Sequence, residues 1–207
     1  MSSHTIKYCI SISNINSFSG IEKLIPKGSF IEYRLDTAFS LDDIKRVTEN
    51  YECIISPKIV IDLNEIKKII ALSPDYIDID FLSFESNLFE LINYSVIYNV
   101  KSIVSFHLPK EIFNIKYIES LIRKMLSFYP DYIKLVFNPE NLLEANQLLN
   151  FYDIFPNHKL LLFGMGQELK YTRLEAIKKG SPFMYVSHPA FGETAPGQFS
   201  LDEIKKV

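Results

Sequence analysis

The feature that most constrains this chain is a count of alternations. Eight short apolar, β-branched runs occur in order: Lys7–Ser13, Phe30–Leu35, Glu52–Ser56, Tyr76–Asp80, Ser102–Phe106, Tyr132–Val136, Lys159–Phe163 and Pro182–Ser187. Between them lie longer segments with helical periodicity. Leu41, Ile44 and Val47 share one face of Leu41–Asn50, and Leu63–Leu72, Asn87–Tyr98 and Ile112–Phe128 behave alike. Ser40 before Leu-Asp-Asp and Ser200 before Leu-Asp-Glu read as helix N-caps. Near-continuous apolar strands alternating with helices indicate a parallel sheet covered by helices, and eight such units close into a barrel. The expected fold is therefore an α/β (β/α)8 barrel, with residues 1–207 forming one domain. A doubly wound open sheet is the alternative. An internal echo supports repeated units: Ser-Pro-Asp-Tyr-Ile-Asp at 73–78 matches Tyr-Pro-Asp-Tyr-Ile-Lys at 129–134, which places Asp78 and Lys134 in one register.

Composition narrows the function classes. A net charge of −3 over 207 residues, with no basic stripe or acidic tail, gives no sign of a nucleic-acid partner. Neither a signal peptide nor a membrane-length apolar run is visible, so the expectation is a cytoplasmic protein. Cys9 and Cys53 lie in apolar segments and read as buried core thiols. No His/Cys/Asp cluster has metal-ligand spacing, and Gly164-Met165-Gly166 lacks the third glycine of a dinucleotide loop. Neither a metal nor a cofactor is expected. His4 and His158 read as surface residues.

The informative residues are ionisable groups within apolar runs. Side chains alternate along a strand, so Glu32, Arg34 and Asp36 share one face of the second run, opposite Ile31, Tyr33 and Leu35. Because the outer face of a parallel barrel packs on helices, the charged set points inward. Asp78 and Asp80 do the same in the fourth run, and Lys134 in the sixth. One reading of Asp36, Asp78 and Asp80 is an internal ion-pair network that only plugs the barrel. Lys134 invites another reading, since desolvation is expected to lower its pKa toward neutrality, and a neutral amine in a dry pocket attacks carbonyl carbons. His107 follows the fifth run at the C-terminal mouth, where sites of this fold are built, and is placed to shuttle protons for Lys134. The long segment 187–198 after the eighth run reads as a lid over that mouth, with His188 in a structural role.

Six segments then appear in order: Glu-Tyr-Arg-Leu-Asp (32–36), Asp-Tyr-Ile-Asp-Ile-Asp (75–80), Val-Ser-Phe-His (104–107), Asp-Tyr-Ile-Lys-Leu (131–135), Met-Gly with Thr-Arg (165–173) and Ala-Pro-Gly-Gln (195–198). Together they resemble the signature segments of type I 3-dehydroquinate dehydratases, from about residue 6 to the C-terminus. The resemblance implies cofactor-free elimination of water from the small molecule 3-dehydroquinate in the shikimate pathway of aromatic amino acid biosynthesis. It implies that Lys134 forms the imine at the C3 ketone and that His107 moves the C2 proton to the departing C1 hydroxyl. Arg173, on the loop after the seventh run, matches the arginine that clamps the substrate carboxylate. Glu32 and Arg34 match groups holding the ring hydroxyls, and Thr194 and Gln198 match polar contacts on the lid. Tyr185 stands where the family usually has a phenylalanine against the ring. The family is often dimeric, and a homodimer is an expectation on that ground.

The sequence departs from the family pattern after the third run. Ser-Pro-Lys58-Ile-Val-Ile-Asp62 stands where the family has an arginine and, four residues on, a glutamate that orients the histidine. Lys58 supplies a point charge in place of a fork, and Asp62 is one methylene shorter. Phe163 replaces a frequent methionine, Thr172 replaces a serine, and the chain is short for a barrel. Two other readings stay open at this point: another Schiff-base barrel enzyme of the class I aldolase type, and a non-catalytic barrel that binds a ligand or partner. The lack of a glycine-rich phosphate cradle counts against the aldolase, and the intact lysine and histidine count against the binding module.

Overall fold

The computed structural model describes residues 6–16, 18–108 and 114–206. All eight expected strands are present: β1 (Tyr8–Ser13), β2 (Phe30–Leu35), β3 (Glu52–Pro57), β4 (Tyr76–Asp80), β5 (Lys101–His107), β6 (Tyr132–Phe137), β7 (Leu160–Gly164) and β8 (Met184–Ser187). A two-residue β9 (Phe199–Ser200), absent from the sequence reading, returns from the long final loop to pair with β8. The helices are α1 (Phe18–Leu24), α2 (Leu41–Asn50), α3 (Leu63–Ile70), α4 (Phe81–Phe84), α5 (Leu88–Ile97), α6 (Ile115–Leu126), α7 (Leu142–Leu149), α8 (Phe151–Ile154), α9 (Tyr171–Lys178) and α10 (Leu201–Ile204). The first residues of the expected Ile112–Phe128 helix and His4 lie outside the described residues.

Every strand pairing is parallel, and the order β7-β6-β5-β4-β3-β2-β1-β8-β9 curls the sheet into a barrel. Among the described residues no ladder joins β7 to β8. That seam is closed by side chains, with the Phe163 and Tyr185 rings 5.9 Å apart between centroids. The two faces of the strands separate as the alternation requires. Residues such as Ile31, Ile77, Ile133 and Val186 pack outward with the helices, while Phe30, Tyr76, Tyr132 and Phe183 belong to a separate interior cluster.

Ser40 caps α2 by accepting from the Asp42 amide, and Ser200 caps α10 in a reciprocal capping box with Glu203, as expected. The sequence echo at 73–78 and 129–134 also has a physical basis. Ser73 and Tyr129 both adopt positive φ (55° and 59°) to turn into β4 and β6. The following Asp75 and Asp131 then each accept a backbone N–H from the neighbouring strand, from Cys53 (2.9 Å) and Ser102 (2.8 Å). The repeated motif is a device for starting a strand in fixed register. Cys9 and Cys53 are buried free thiols. No helix is long and apolar enough to cross a membrane among the described residues.

Candidate active site

The barrel interior is built in layers from alternate strands, the usual filling of this architecture. At the bottom, Phe30, Tyr76 and Tyr132, from β2, β4 and β6, and Phe183, immediately before β8, make mutual ring contacts with centroids 4.9 to 6.3 Å apart. Two residues farther along the same strands stand Glu32, Asp78, Lys134 and Tyr185. The aromatic plug seals the floor, and this second set of four forms a polar layer above it.

Lys134 is 4% exposed. Its Nζ donates to Asp78 Oδ2 at 2.9 Å and to Glu32 Oε1 at 3.2 Å, and it lies 4.5 Å above the Tyr185 ring centroid. Two serines of the odd strands join the network, and a third stands next to it without a hydrogen-bond partner among the described residues. Ser56 donates to Asp78 Oδ2 at 3.0 Å, Ser105 lies beside Asp78, and Ser11 donates to Glu32 Oε2 in a short contact. Lys58 also reaches Asp78 Oδ2, at 3.3 Å.

This wiring corrects one expectation. Desolvation, the largest influence on Lys134, does push its pKa down, but contact with Asp78 and Glu32 outweighs it, and the ammonium is held above the usual lysine value. Lys58 is the lysine lowered by its surroundings. Burial is again the largest influence, and repulsion from Lys134 adds to it while Asp78 opposes both. Asp78 and Glu32 resist protonation for the converse reason: burial pushes both carboxyls up, and the two lysines more than offset it.

His107 sits at the end of β5, accessible at the mouth. Desolvation and then the positive charges of Lys134 and Lys58 lower its pKa to about 4, so its ring is neutral at pH 7. It lines two adjoining cavities. One, of about 310 Å³, also touches Lys58, Asp78, Asp80 and Ser83. The other, of about 40 Å³, lies under the lid against Lys134, Arg34, Met165, Arg173, Tyr185 and Gln198.

Arg173 is found in the first turn of α9 rather than on the preceding loop, and is 2% exposed. Its guanidinium stacks 4.4 Å over the Phe163 ring, and its three nitrogens have no hydrogen-bond partner among the described residues. Desolvation pulls its pKa down to about 10, which still leaves a full positive charge at pH 7. Thr172, beside it, donates to Leu169 O at 2.6 Å and accepts from the Gly164 amide at 2.9 Å, fixing the entry into α9.

The long loop after β8 folds over the mouth as a lid. Ser11 and Thr194 hydroxyls meet at 2.6 Å, and the Thr194 amide donates to Gln198 Oε1 at 2.9 Å. Gly166 donates its N–H to Pro196 O at 3.2 Å, and Gln167 donates to Glu193 at 3.1 Å. The Gly-Met-Gly segment thus serves close backbone approach. A Cβ on Gly197 (φ 79°) would lie 2.2 Å from Gly166 O. His188 accepts from the Ala190 amide through Nδ1 within the same loop.

The structure gathers Glu32, Arg34, Lys58, His107, Lys134, Arg173, Tyr185, Thr194 and Gln198 around one mouth. Asp62 is not joined to His107. Its carboxylate accepts from Asn64 N and Glu65 N, both at 2.8 Å, in a capping box that starts α3. Asp36 pairs with Arg34 at 2.7 Å on the half-buried rim, and Asp80 caps α4 through Ser83. Sequence reasoning missed Ser11, Ser56 and Ser105. Their shared signal was a serine at an inward position of each of three odd strands.

Fold and site together define a parallel α/β-barrel protein whose centre holds an ion-paired lysine beneath a lidded mouth lined by charged side chains of both signs. Comparison narrows that class: the model of the type I 3-dehydroquinase family matches residues 9–207, and the chain belongs to that family. A 3-dehydroquinate dehydratase from Streptococcus mutans is 28% identical over 147 residues, 69% of this chain and 61% of the relative's length. Among solved structures, the 3-dehydroquinate dehydratase from Aquifex aeolicus matches with a TM-score of 0.80 and 21% identity, covering 97% of this chain and 96% of that one. The type I enzyme from Clostridium difficile, solved with covalently modified comenic acid, matches with a TM-score of 0.74 and 20% identity, over 97% and 90%. These structural likenesses establish the fold.

Proposed function

We propose that the protein is a 3-dehydroquinate dehydratase, acting in the shikimate pathway through a Schiff base on Lys134. The observation that carries this reading is a fully buried lysine at the barrel centre, below a cavity that also presents a neutral histidine and an unpaired buried guanidinium. Membership of the type I 3-dehydroquinase family supports 3-dehydroquinate as the substrate.

In this reading the substrate carboxylate meets Arg173, whose unpaired N–H groups form a fork for it. The Lys134 ammonium passes a proton to neutral His107, the free amine attacks the C3 carbonyl carbon, and His107 returns that proton to the carbinolamine hydroxyl, which leaves as water to give the protonated imine. His107, neutral at pH 7, removes the C2 proton while the electron pair delocalises into an enamine. That pair then expels the C1 hydroxyl, which takes the proton from His107 and departs as water. Hydrolysis of the imine returns the amine and releases 3-dehydroshikimate. Glu32 and Asp78 stabilise the nitrogen in its cationic iminium stages, since an iminium at Nζ occupies the place of the ammonium they already bind.

The test is reductive trapping. Borohydride added with 3-dehydroquinate is expected to leave a stable adduct on Lys134 in intact-protein mass spectrometry, and Lys134→Ala is expected to lose both adduct and turnover. Trapping on another residue, or undiminished turnover in the variant, overturns the covalent reading.

A further inference from the structure

In the polar layer of four, Lys134 donates to Glu32 and to Asp78, and each carboxylate also accepts from a serine of an odd strand, while Asp78 Oδ1 has no hydrogen-bond partner among the described residues. The fourth member, Tyr185, is 2% exposed, and its hydroxyl has no hydrogen-bond partner among the described residues. An unmade bond of this kind destabilises a fold, so it calls for a partner that arrives later. Lys134 is not that partner, because its ammonium lies over the ring face while a phenol O–H lies in the ring plane. Glu32 already accepts from Lys134 at one oxygen and Ser11 at the other. A phenylalanine would fill the same volume without the penalty.

Tyr185 lines the small cavity under the lid, together with Arg173. Arg173 carries the other unpaired buried polar atoms of that cavity, and its guanidinium and the Tyr185 ring flank Phe163. Guanidinium N–H groups only donate, and the phenol retains its proton because burial pushes its pKa up. Two residues that carry unpaired donors, Arg173 of α9 and Tyr185 of β8, therefore line one small chamber, and a group able to satisfy both is an acceptor-rich anion.

We propose that the Tyr185 hydroxyl is a substrate-positioning donor that binds the carboxylate of a ring acid jointly with Arg173. This rests on the reading of the cavity as a site for a carboxylate-bearing ring. Such a carboxylate keeps its charge through the dehydration, so the bond is equally strong in ground and transition states and acts on KM rather than kcat.

The experiment compares wild type with Tyr185→Phe by calorimetric titration with quinate, by steady-state kinetics and by thermal melting. Quinate carries the ring carboxylate but no ketone for a lysine to attack, so its binding is independent of the chemistry. The expected result is a loss of about ten-fold in quinate affinity and a matching rise in KM, with kcat within about two-fold. The melting temperature of the unliganded variant stays equal or rises, which a structural role for the hydroxyl would not produce. Undiminished quinate affinity in the variant, a clear fall in its melting temperature, or failure of wild type to bind quinate overturns the proposal. Wild type that binds quinate but does not convert 3-dehydroquinate removes the dehydratase reading and leaves the Tyr185 comparison decisive.

Discussion

Asp78→Asn is the perturbation that asks most of the charge network, because it keeps the shape of the side chain and deletes one charge at the barrel centre. Asp78 Oδ2 lies 2.9 Å from Lys134 Nζ and 3.3 Å from Lys58 Nζ; Asp78 and Lys134 are withdrawn from bulk water, and Lys58 is half-buried. At an effective dielectric constant of about 20, a unit pair at such a distance interacts by roughly 5–6 kcal/mol. Glu32 remains in contact with Lys134 and the site relaxes, so the net effect is smaller. An opposite charge in contact shifts a pKa by about 1–3 units, or about 1.4–4 kcal/mol at 1.36 kcal/mol per unit. That range overlaps the roughly 3–5 kcal/mol for removing one partner of a buried ion pair. The variant is therefore expected to be less stable by about 3–4 kcal/mol at pH 7. Lys134 is expected to titrate lower than in wild type, because the contact with Asp78 that raises its pKa is lost.

Two assays read this. Urea denaturation gives the stability difference, and the 13Cε resonance of Lys134, followed across pH in lysine-labelled protein, gives its titration. Asp80→Asn serves as the control, since Asp80 caps α4 and makes no ion pair with Lys134. A Lys134 titration unmoved in Asp78→Asn, or moved equally in Asp80→Asn, would refute the view that direct contact with Asp78 holds the ammonium.

The lid and the histidine give two further predictions. Gly197→Ala places a methyl group 2.2 Å from the Gly166 carbonyl oxygen at a backbone φ of 79°, so the lid cannot seat. Its kcat/KM is expected to fall by about ten-fold or more while the melting temperature changes by only a few degrees, and unchanged kcat/KM would show that lid seating is irrelevant to turnover. For His107, the folded pKa near 4 lies below the unfolded value near 6.5, so the unfolded chain binds more protons between these limits. Its contribution to stability is complete above about pH 6.5 and is lost as pH falls toward 4. Melting curves of wild type and His107→Gln at pH 7.5 and 4.5 are expected to show a smaller acid-induced loss in the variant. Equal losses would mean that the ring is not held neutral.

The layout of the barrel was legible in the sequence because its determinants are local and periodic. A period of two sorted Glu32, Asp78 and Lys134 from Ile31, Ile77 and Ile133, and eight strand–helix alternations limited how the sheet could close. The motif shared by 73–78 and 129–134 placed Asp78 and Lys134 in one register. Three things were decided only by the folded chain. The direction of the Lys134 pKa shift depends on two carboxylates, Glu32 and Asp78, which lie 102 and 56 positions away in sequence. Desolvation alone predicts a fall; paired desolvation gives a rise. The use of Asp62 was set by competition, since the nearby amides of Asn64 and Glu65 took its carboxylate to start α3. The meaning of Gly166 and Gly197 emerged only when two loops, distant in sequence, crossed backbone to backbone over the mouth. Periodicity in a sequence determines which face a residue occupies; the charges and backbones it meets on that face are supplied by other strands, and their distances decide the chemistry.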